Sequence, residues 1–246
     1  MLPLTSIELM RIWDEGIDQS IPEKTLRLLS KACSVEDHNQ LGRLSIGDRD
    51  ARLLQLREWM FGNTLKNVAN CPKCNEKIEW VTNVADLYLK PISPELSVKT
   101  YLLEEDDFSI RFRLPDTHDL SRVAADRSYW TDPKKLLSDC ILEINIDGKE
   151  YATSALPDSA WEALNERMEL EDPQADIRIK TQCPSCSHQW ESPFDIVSFL
   201  WLEVHNWALR TLQEVYQLGR AFGWSENDIL TMSARRRQLY LQMLGA

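Results

Sequence analysis

The sequence predicts an α+β protein in which helical modules at both ends of the chain flank a split β-ribbon with a mixed α/β insertion. Apolar residues recur at helical spacing near both ends, and alternating patterns typical of strands occupy the middle. Two turns of the same type, "CPKC" at 71–74 and "CPSC" at 183–186, lie more than a hundred residues apart. The predicted parts are an N-terminal helical module at 1–66, the ribbon at 67–193 with its insertion at about 93–173, and a C-terminal helical module at 194–246.

The composition is that of an ordinary folded protein. Of the 246 residues, 43% are hydrophobic and 27% are charged, which is typical of globular domains. The apolar clusters are too short to span a bilayer, and "MLPLTSIELM" lacks the basic region and the apolar core of a secretory signal. We therefore expect a cytoplasmic protein without a membrane span, in which cysteines stay reduced and paired CxxC turns more often bind metal.

The net charge of −11 is concentrated in the middle of the chain, because residues 71–182 carry 23 acidic and 14 basic residues. Proteins bind the phosphate backbone of nucleic acids mainly through Lys and Arg. The acidic segment therefore argues against nucleic acid as a partner.

The N-terminal module contains repeated helix-start signals, in which a hydroxyl residue is followed three positions later by an acid. These pairs are Thr5 with Glu8, Ser20 with Glu23 and, as a weaker version, Ser45 with Asp48. The last pair precedes a helical stripe of Leu53, Leu56 and Met60, and Gly62 is a plausible stop. The sequence therefore predicts several short helices that lead into the first cysteine turn.

The segment between the cysteine turns mixes strand and helix patterns. In "DFSIRFRL", Phe108, Ile110 and Phe112 alternate with polar residues, which predicts a half-buried strand. "LEINIDGKEYA" predicts a hairpin whose Asp147-Gly148 pair suits a primed turn. "PDSAWEALNERMEL" predicts a helix, and "ADIRIKTQ" predicts the strand that leads to the second cysteine turn.

The segment after the second cysteine turn is the most apolar part of the chain. "FDIVSFLWLEVHNWALRTLQEVYQLGRAFGW" predicts a long helix that is apolar on nearly every side, so its own domain or a partner must cover it. Trp201, Trp207 and Arg220 are residue types that anchor interfaces, although a purely internal core explains the pattern equally well. Ser225 with Asp228 predicts a short helix, and "SARRRQLYLQML" predicts an amphipathic one.

The two cysteine turns predict one structural zinc ion per chain. Zinc prefers four tetrahedral ligands, and a two-residue gap lets two thiolates of one turn bind the same ion. Flanking strand patterns make each turn one half of a zinc ribbon, so we expect Cys71, Cys74, Cys183 and Cys186 to form one site. The alternatives are turns held only by packing and, with less support, a redox role, since neither turn joins a strand to a helix as redox CxxC motifs do.

Other polar residues give weaker signals. His188 is close enough in sequence to replace a thiolate, and Cys33 with His38 resembles half of a second site, but a surface imidazole and a buried thiol explain them better. Cys140 lies in an apolar run and is predicted to be core, while His118 and His205 lack catalytic partners. The run "RRR" at 235–237 is expected to be a solvated face. We find no paired carboxylates, phosphate loop or nucleophile motif, and therefore expect a non-enzymatic protein without a small-molecule substrate.

Several stretches resemble one known family. They are "GDRDARLLQLREWMFGNTLKNVANCPKC", "DPQADIRIKTQCPSCSHQWESPFDIVSFLWLEVHNWALRTLQEVYQLGRAFGWSENDIL" and "SARRRQLYLQML". They resemble zinc-knuckle proteins encoded with contractile phage tails and extracellular contractile injection systems, which are often labelled phage baseplate proteins. The resemblance implies a non-enzymatic structural or chaperone-like component, assembled in the cytoplasm with other baseplate or tail subunits that contact the helices of 194–246.

Two other functions compete with this one. A zinc-ribbon regulator that binds nucleic acid is favoured by the ribbon and the arginine run, and opposed by the acidic middle. A metal-dependent hydrolase would need three protein ligands and an open position, for which His188 is the candidate.

Overall fold

The computed structural model describes residues 1–105, 108–146 and 149–245. Helices dominate it and the strands form small antiparallel sheets, so the predicted α+β class is confirmed. The helices are α1 (Ser6–Gly16), α2 (Ile21–Cys33), α3 (His38–Gly42), α4 (Ile46–Phe61), α5 (Thr117–Ala125), α6 (Ser128–Thr131), α7 (Lys134–Cys140), α8 (Asp158–Glu171), α9 (Ile196–Phe222), α10 (Glu226–Thr231) and α11 (Ala234–Met243). The strands are β1 (Thr64–Asn70), β2 (Lys77–Asn83), β3 (Thr100–Glu104), β4 (Phe108–Arg113), β5 (Ile141–Ile146), β6 (Lys149–Glu150), β7 (Arg178–Gln182) and β8 (Gln189–Pro193).

The chain folds as two compact units. Unit 1 comprises Met1–Glu36 and Ile196–Ala246, and unit 2 comprises Asp37–Asp195. Unit 2 contains 29 acidic and 19 basic residues, whereas unit 1 contains 10 and 9, so nearly all of the net charge belongs to unit 2. The three modules expected from the sequence, with boundaries at 66 and 193, remain a prediction. A membrane-spanning helix is not found among the described residues, since none of their helices combines the length and hydropathy that a bilayer requires.

Capping residues begin the helices of unit 1 as predicted. In each case the hydroxyl accepts a hydrogen bond from the backbone N–H three residues later, and the acid at that position accepts one from the capping backbone. This reciprocal arrangement provides partners for N–H groups that a helix start leaves without them. The confirmed pairs are Thr5 with Glu8 at α1, Ser20 with Glu23 at α2 and Ser225 with Asp228 at α10.

Helix α9 is a single 27-residue helix, about 40 Å long. Its inner side is buried, with Leu200 and Val204 fully inaccessible. Helix α1 packs closely against it: a Cβ atom on Gly16 would lie 2.7 Å from the ring of Trp201. The sequence predicted that α9 would be covered on more than one side, yet several of its apolar residues, Leu202 among them, are exposed.

The C-terminal helices form a small core in unit 1. Leu218, Ile229 and Leu241 are buried together at its centre. The arginine run at the start of α11 was expected to be solvated, and for Arg237 this expectation is wrong. Arg237 is 1% exposed, because its position on α11 points it inward, where its Nε donates to Glu214 Oε2 at 2.7 Å.

The α4 helix lies in the core of unit 2. Leu53 and Leu56 are fully buried and Met60 is half-buried, which confirms the predicted stripe. Gly62 ends the helix with a positive φ of 91°, a conformation that suits glycine. Ser45 caps the start by accepting from the backbone N–H of Asp48, without the reciprocal bond of a full capping box.

The segment between the cysteine turns forms a four-stranded antiparallel sheet in the order β3-β4-β5-β6. Ile110 and Phe112 on β4 are fully buried, as the alternation predicted, and they share a core with Leu164 of α8. Strands β5 and β6 form the predicted antiparallel pair. The turn at Asp147-Gly148 lies outside the described residues.

Candidate metal centre

Two hairpins of the same design position the four cysteines. Strands β1 and β2 pair antiparallel around the first turn, and β7 and β8 pair in the same way around the second. In the first turn, Cys71 N donates to Glu76 O at 2.9 Å and Asn75 N donates to Cys71 O at 2.8 Å. The second turn repeats both bonds, from Cys183 N to His188 O at 2.9 Å and from Ser187 N to Cys183 O at 2.9 Å.

Each turn needs one residue in the left-handed backbone region. Asn75 has a φ of 60° and Ser187 a φ of 56°. Asn tolerates this conformation better than most residues, so "CPKCN" is locally suited to the turn. Ser is less suited, which indicates that the surrounding hydrogen bonds help to hold the second turn in shape.

The four sulfur atoms meet across the two hairpins. Cys71 Sγ lies 3.7 Å from Cys186 Sγ, and Cys74 Sγ lies 3.5 Å from Cys183 Sγ. All four sulfurs lie within 4.8 Å of one another. A tetrahedral ion with metal–sulfur bonds of about 2.3 Å requires sulfurs about 3.8 Å apart. The arrangement is therefore compatible with metal binding, and its donor set suits zinc.

The electrostatics of the cluster favour a bound cation. Burial opposes ionisation of Cys71, but backbone N–H groups of Cys74 and Lys73 outweigh it and lower the pKa of Cys71 to about 7. The backbone of Glu76 favours the Cys74 thiolate, but the neighbouring sulfurs prevail and raise the pKa of Cys74 to about 12. Thiolates this close repel one another unless a positive ion balances them.

Apolar side chains surround the cluster. Cys71 and Cys183 are each 1% exposed, while Cys186 is half-buried and Cys74 is exposed. Ile78 is buried against them, and the two ring systems of Trp80 and Trp190 pack alongside. Ile78 and Trp190 occupy matching places, each seven residues after the first cysteine of its turn, so both hairpins contribute a bulky apolar residue to the packing around the site.

The weaker metal candidates do not contribute ligands to the group of four cysteines. The His188 ring stacks on Trp190 with 6.0 Å between ring centroids. In the ranges that the structure describes, the group able to hold a metal contains the four cysteines and neither His188, Cys33 nor His38. Cys33 ends α2, and His38 begins α3.

His205, His118 and Cys140 take part in hydrogen bonding or packing within the fold. His205 Nδ1 accepts a hydrogen bond from Trp13 Nε1 at 3.1 Å, and the His118 ring lies directly over Gly42. Cys140 is fully buried, as predicted, and burial raises its pKa to about 12. A buried thiol that keeps its proton is a poor nucleophile, and Cys140 lies outside the group of four cysteines that could hold a metal.

Sequence reasoning missed a buried charge network beside Cys140. The Asp119 carboxylate is completely inaccessible and accepts two bonds from the Arg113 guanidinium, at 2.5 and 2.9 Å. It also pairs with Arg122. Burial opposes ionisation of Asp119, but the arginines hold its pKa below the usual value. The signal that could have revealed it is Asp116 three residues before Asp119, which together form a capping box at α5.

The chain matches the model of one known protein family. A model of the family described as "T4 bacteriophage base plate protein" matches residues 6–201, a range that contains both cysteine turns. No curated protein and no solved structure matches the chain.

Proposed function

Because this chain belongs to the family of T4 bacteriophage base plate proteins, we propose that it is a non-enzymatic structural or assembly-assisting component of a phage-tail baseplate or a contractile injection system. The family match carries this proposal, since it covers most of the chain. We further propose that a structural zinc ion bound by Cys71, Cys74, Cys183 and Cys186 stabilises the protein.

The proximity of the sulfurs supports the structural role of the metal. Four thiolates fill the coordination sphere of zinc and leave no position for water or substrate. The ion would join two hairpins that are more than a hundred residues apart in the chain. It would thereby hold together the two ends of the segment that contains the four-stranded sheet. Binding of the metal would stabilise the folded state of unit 2, because the unfolded chain has no preformed site for the ion.

Metal analysis tests the zinc site. We expect elemental analysis of the purified chain to give one zinc per molecule, and Cys183→Ser to lose most of it. Cys33→Ser is the matched control and should keep the metal, since Cys33 lies outside the cluster. Zinc that is absent from the unmodified chain, or retained equally by both variants, would overturn the proposed site while leaving the family membership intact.

Mass spectrometry tests the assembly role. The protein is expected in purified intact particles if it is a permanent subunit, and only in assembly intermediates if it acts as a chaperone. We place its contacts with neighbouring subunits on the helices of 194–246, so truncation before α10 should reduce its co-purification with intermediates. Absence from both particles and intermediates would rule out either role.

Charge distinguishes this function from nucleic-acid binding. The ribbon belongs to unit 2, which has a net charge of −10, and such a surface repels phosphates. We therefore expect no binding to duplex DNA at physiological salt. Salt-dependent binding in a mobility-shift assay would instead support the zinc-ribbon regulator.

A further inference from the structure

One pocket of unit 2, with a volume of about 510 Å³, is lined by more bases than acids. Arg43 directly follows α3, Arg113 ends β4 and Arg122 lies on α5. Asp116 is the one acid among the described residues that line the pocket. Unit 2 as a whole carries a net charge of −10, so the pocket has the opposite charge balance to its unit. Its volume lies in the range of ligand pockets, about 300–1,000 Å³, and its charges suit an anion.

A buried carboxylate behind the pocket fixes two of the arginines. Asp119 is completely inaccessible, accepts two bonds from Arg113 and pairs with Arg122. One carboxylate shared by two guanidinium groups orders both side chains but neutralises only one of the two positive charges. Asp116 Oδ2 lies 3.5 Å from Arg113 Nη1, and Asp139 Oδ2 lies 3.5 Å from Arg122 Nε, so these acids offset the remaining charge in part. Because both arginines are already held in place, a ligand need not order them when it binds.

Arg43 carries a charge that no neighbouring acid balances. It is exposed, and its side chain forms no hydrogen bond or ion pair within the part of the chain that the structure describes. The Arg122 side chain remains 47% exposed beside Asp119, so it also reaches the solvent. A guanidinium group can donate two parallel hydrogen bonds to one carboxylate. We therefore expect a carboxylate ligand to pair with Arg43 and to be attracted by Arg113 and Arg122 as well.

Two apolar side chains line the same pocket. Val98 precedes β3 and Leu142 lies on β5, and each is 45% exposed. Removing such apolar surface from water is favourable, but an inorganic anion would leave both side chains uncovered. Because Val98 and Leu142 come from different elements, a carboxylate with an apolar group on each side could cover both.

We propose that this pocket binds an acidic side chain of a partner protein, in a segment where aliphatic residues flank the acid. A chain terminus has only one neighbouring residue, which would leave one of the two apolar side chains uncovered. Nucleic acid is a poorer candidate, because the net charge of −10 on unit 2 repels a polyanion. The pocket adds a contact in unit 2 to those that we assign to the helices of 194–246. Only the identity of the partner as a baseplate subunit rests on the proposed function.

A chemical-shift titration of the isotope-labelled full-length chain, followed by NMR, tests the site. The probe is the synthetic peptide acetyl-Leu-Glu-Leu-amide, and acetyl-Leu-Gln-Leu-amide is its matched control. The glutamate peptide should bind with a Kd of about 1 mM, as expected for one exposed ion pair and two small apolar contacts. The glutamine peptide should bind at least about fivefold more weakly, because it keeps the shape of the probe and removes the charge.

Variants of the chain test which residues hold the peptide. Arg43→Gln should weaken binding of the glutamate peptide at least about fivefold. Arg43→Lys should weaken it less, since an ammonium group keeps the charge but cannot form the bidentate pair. Arg127→Gln is the matched control: it removes an exposed arginine of unit 2 that does not line the pocket, and it should leave the Kd unchanged. Circular dichroism would verify that each variant folds.

Four results would each overturn the proposal. The glutamate peptide could cause no shifts up to about 10 mM, or the glutamine peptide could bind equally well. Arg43→Gln and Arg127→Gln could have the same effect. Inorganic phosphate, a single-stranded oligothymidine or acetyl-Leu-Leu with a free terminal carboxylate could bind as tightly as the probe. Neither zinc content nor particle membership enters these results, so this proposal and the proposed function fail separately.

Discussion

The substitution Arg237→Met is expected to lower the free energy of unfolding of unit 1. The Arg237 side chain is 2% exposed, and its Nε lies 2.7 Å from Glu214 Oε2. Its Nη1 also donates to the backbone oxygen of Met232 at 2.8 Å. Methionine is unbranched and apolar like the arginine stem, so the substitution preserves much of the packing and mainly removes the guanidinium group.

The magnitude follows from what the substitution leaves behind. Removing one partner of a buried ion pair costs about 3–5 kcal/mol, because the other charge stays buried. Here Glu214 is 18% exposed and still accepts from Gln238 Nε2 at 2.7 Å, so water and Gln238 retain part of its solvation. We therefore expect a loss at the lower end, about 3 kcal/mol.

Urea unfolding followed by circular dichroism and tryptophan fluorescence provides the assay. The two units can unfold in separate transitions, so the transition of unit 1 has to be fitted by itself. The matched control is Arg235→Met, the same substitution two positions earlier at an exposed site. Exposed substitutions of this kind change stability by no more than about 0.5 kcal/mol.

A double variant isolates the charge. Adding Glu214→Gln to Arg237→Met removes the unpaired carboxylate, so it should recover at least about 1 kcal/mol relative to Arg237→Met alone. Equal urea midpoints for Arg237→Met and Arg235→Met would refute the reasoning. A double variant less stable than the single one would show that Glu214 contributes through contacts other than Arg237.

Two further predictions concern unit 2 and the end of α9. Burial opposes ionisation of Asp119 but Arg113 lowers its pKa below the usual 3.8, so its stabilisation is complete above about pH 4 and is lost as the pH falls through the lowered value. The urea midpoint of Asp119→Asn should accordingly lie far below that of the unmodified chain at pH 7, and the difference should shrink as the pH falls below about 4; a constant difference would contradict this. Gly47→Ala should destabilise by about 1–3 kcal/mol, because the new Cβ would lie 2.0 Å from Asp172 Oδ1. The matched control is Gly219→Ala, for which a new Cβ would lie 3.4 Å from its nearest neighbour, the backbone oxygen of Trp224. Because alanine favours helix, this substitution should leave the temperature of thermal unfolding unchanged or raise it. Similar effects at the two glycines would argue against the close approach of Asp172 to Gly47.

Signals confined to a few residues could be predicted from the sequence. The capping pairs at Thr5, Ser20 and Ser225 form the bonds expected of them, because all their partners lie within one helical turn. The stop at Gly62 is local for the same reason. The four cysteines of the candidate site were also identified from two short motifs, although their ligand role stays a proposal.

Long-range burial could not be predicted. Asp119 lies in a segment with many acids, and in the structure the guanidinium groups of Arg113 and Arg122 and the buried Cys140 lie beside its carboxylate. Leu202 and Leu209 on α9 have the hydropathy of core residues, but the fold leaves them exposed. Hydropathy records what a side chain prefers, whereas exposure depends on which elements pack over it.

The sequence by itself determined where the helices capped by Thr5, Ser20, Ser45 and Ser225 begin and where the two cysteine turns lie, since these depend on hydrogen bonds and backbone angles within a few residues. Only the tertiary structure decided that sulfurs more than a hundred residues apart lie within 4.8 Å of one another. It also decided that Arg237 is buried beside Glu214 while Arg235 is exposed. Three identical residues in a row have the same local preference, and their different positions around one helix turn give them different surroundings.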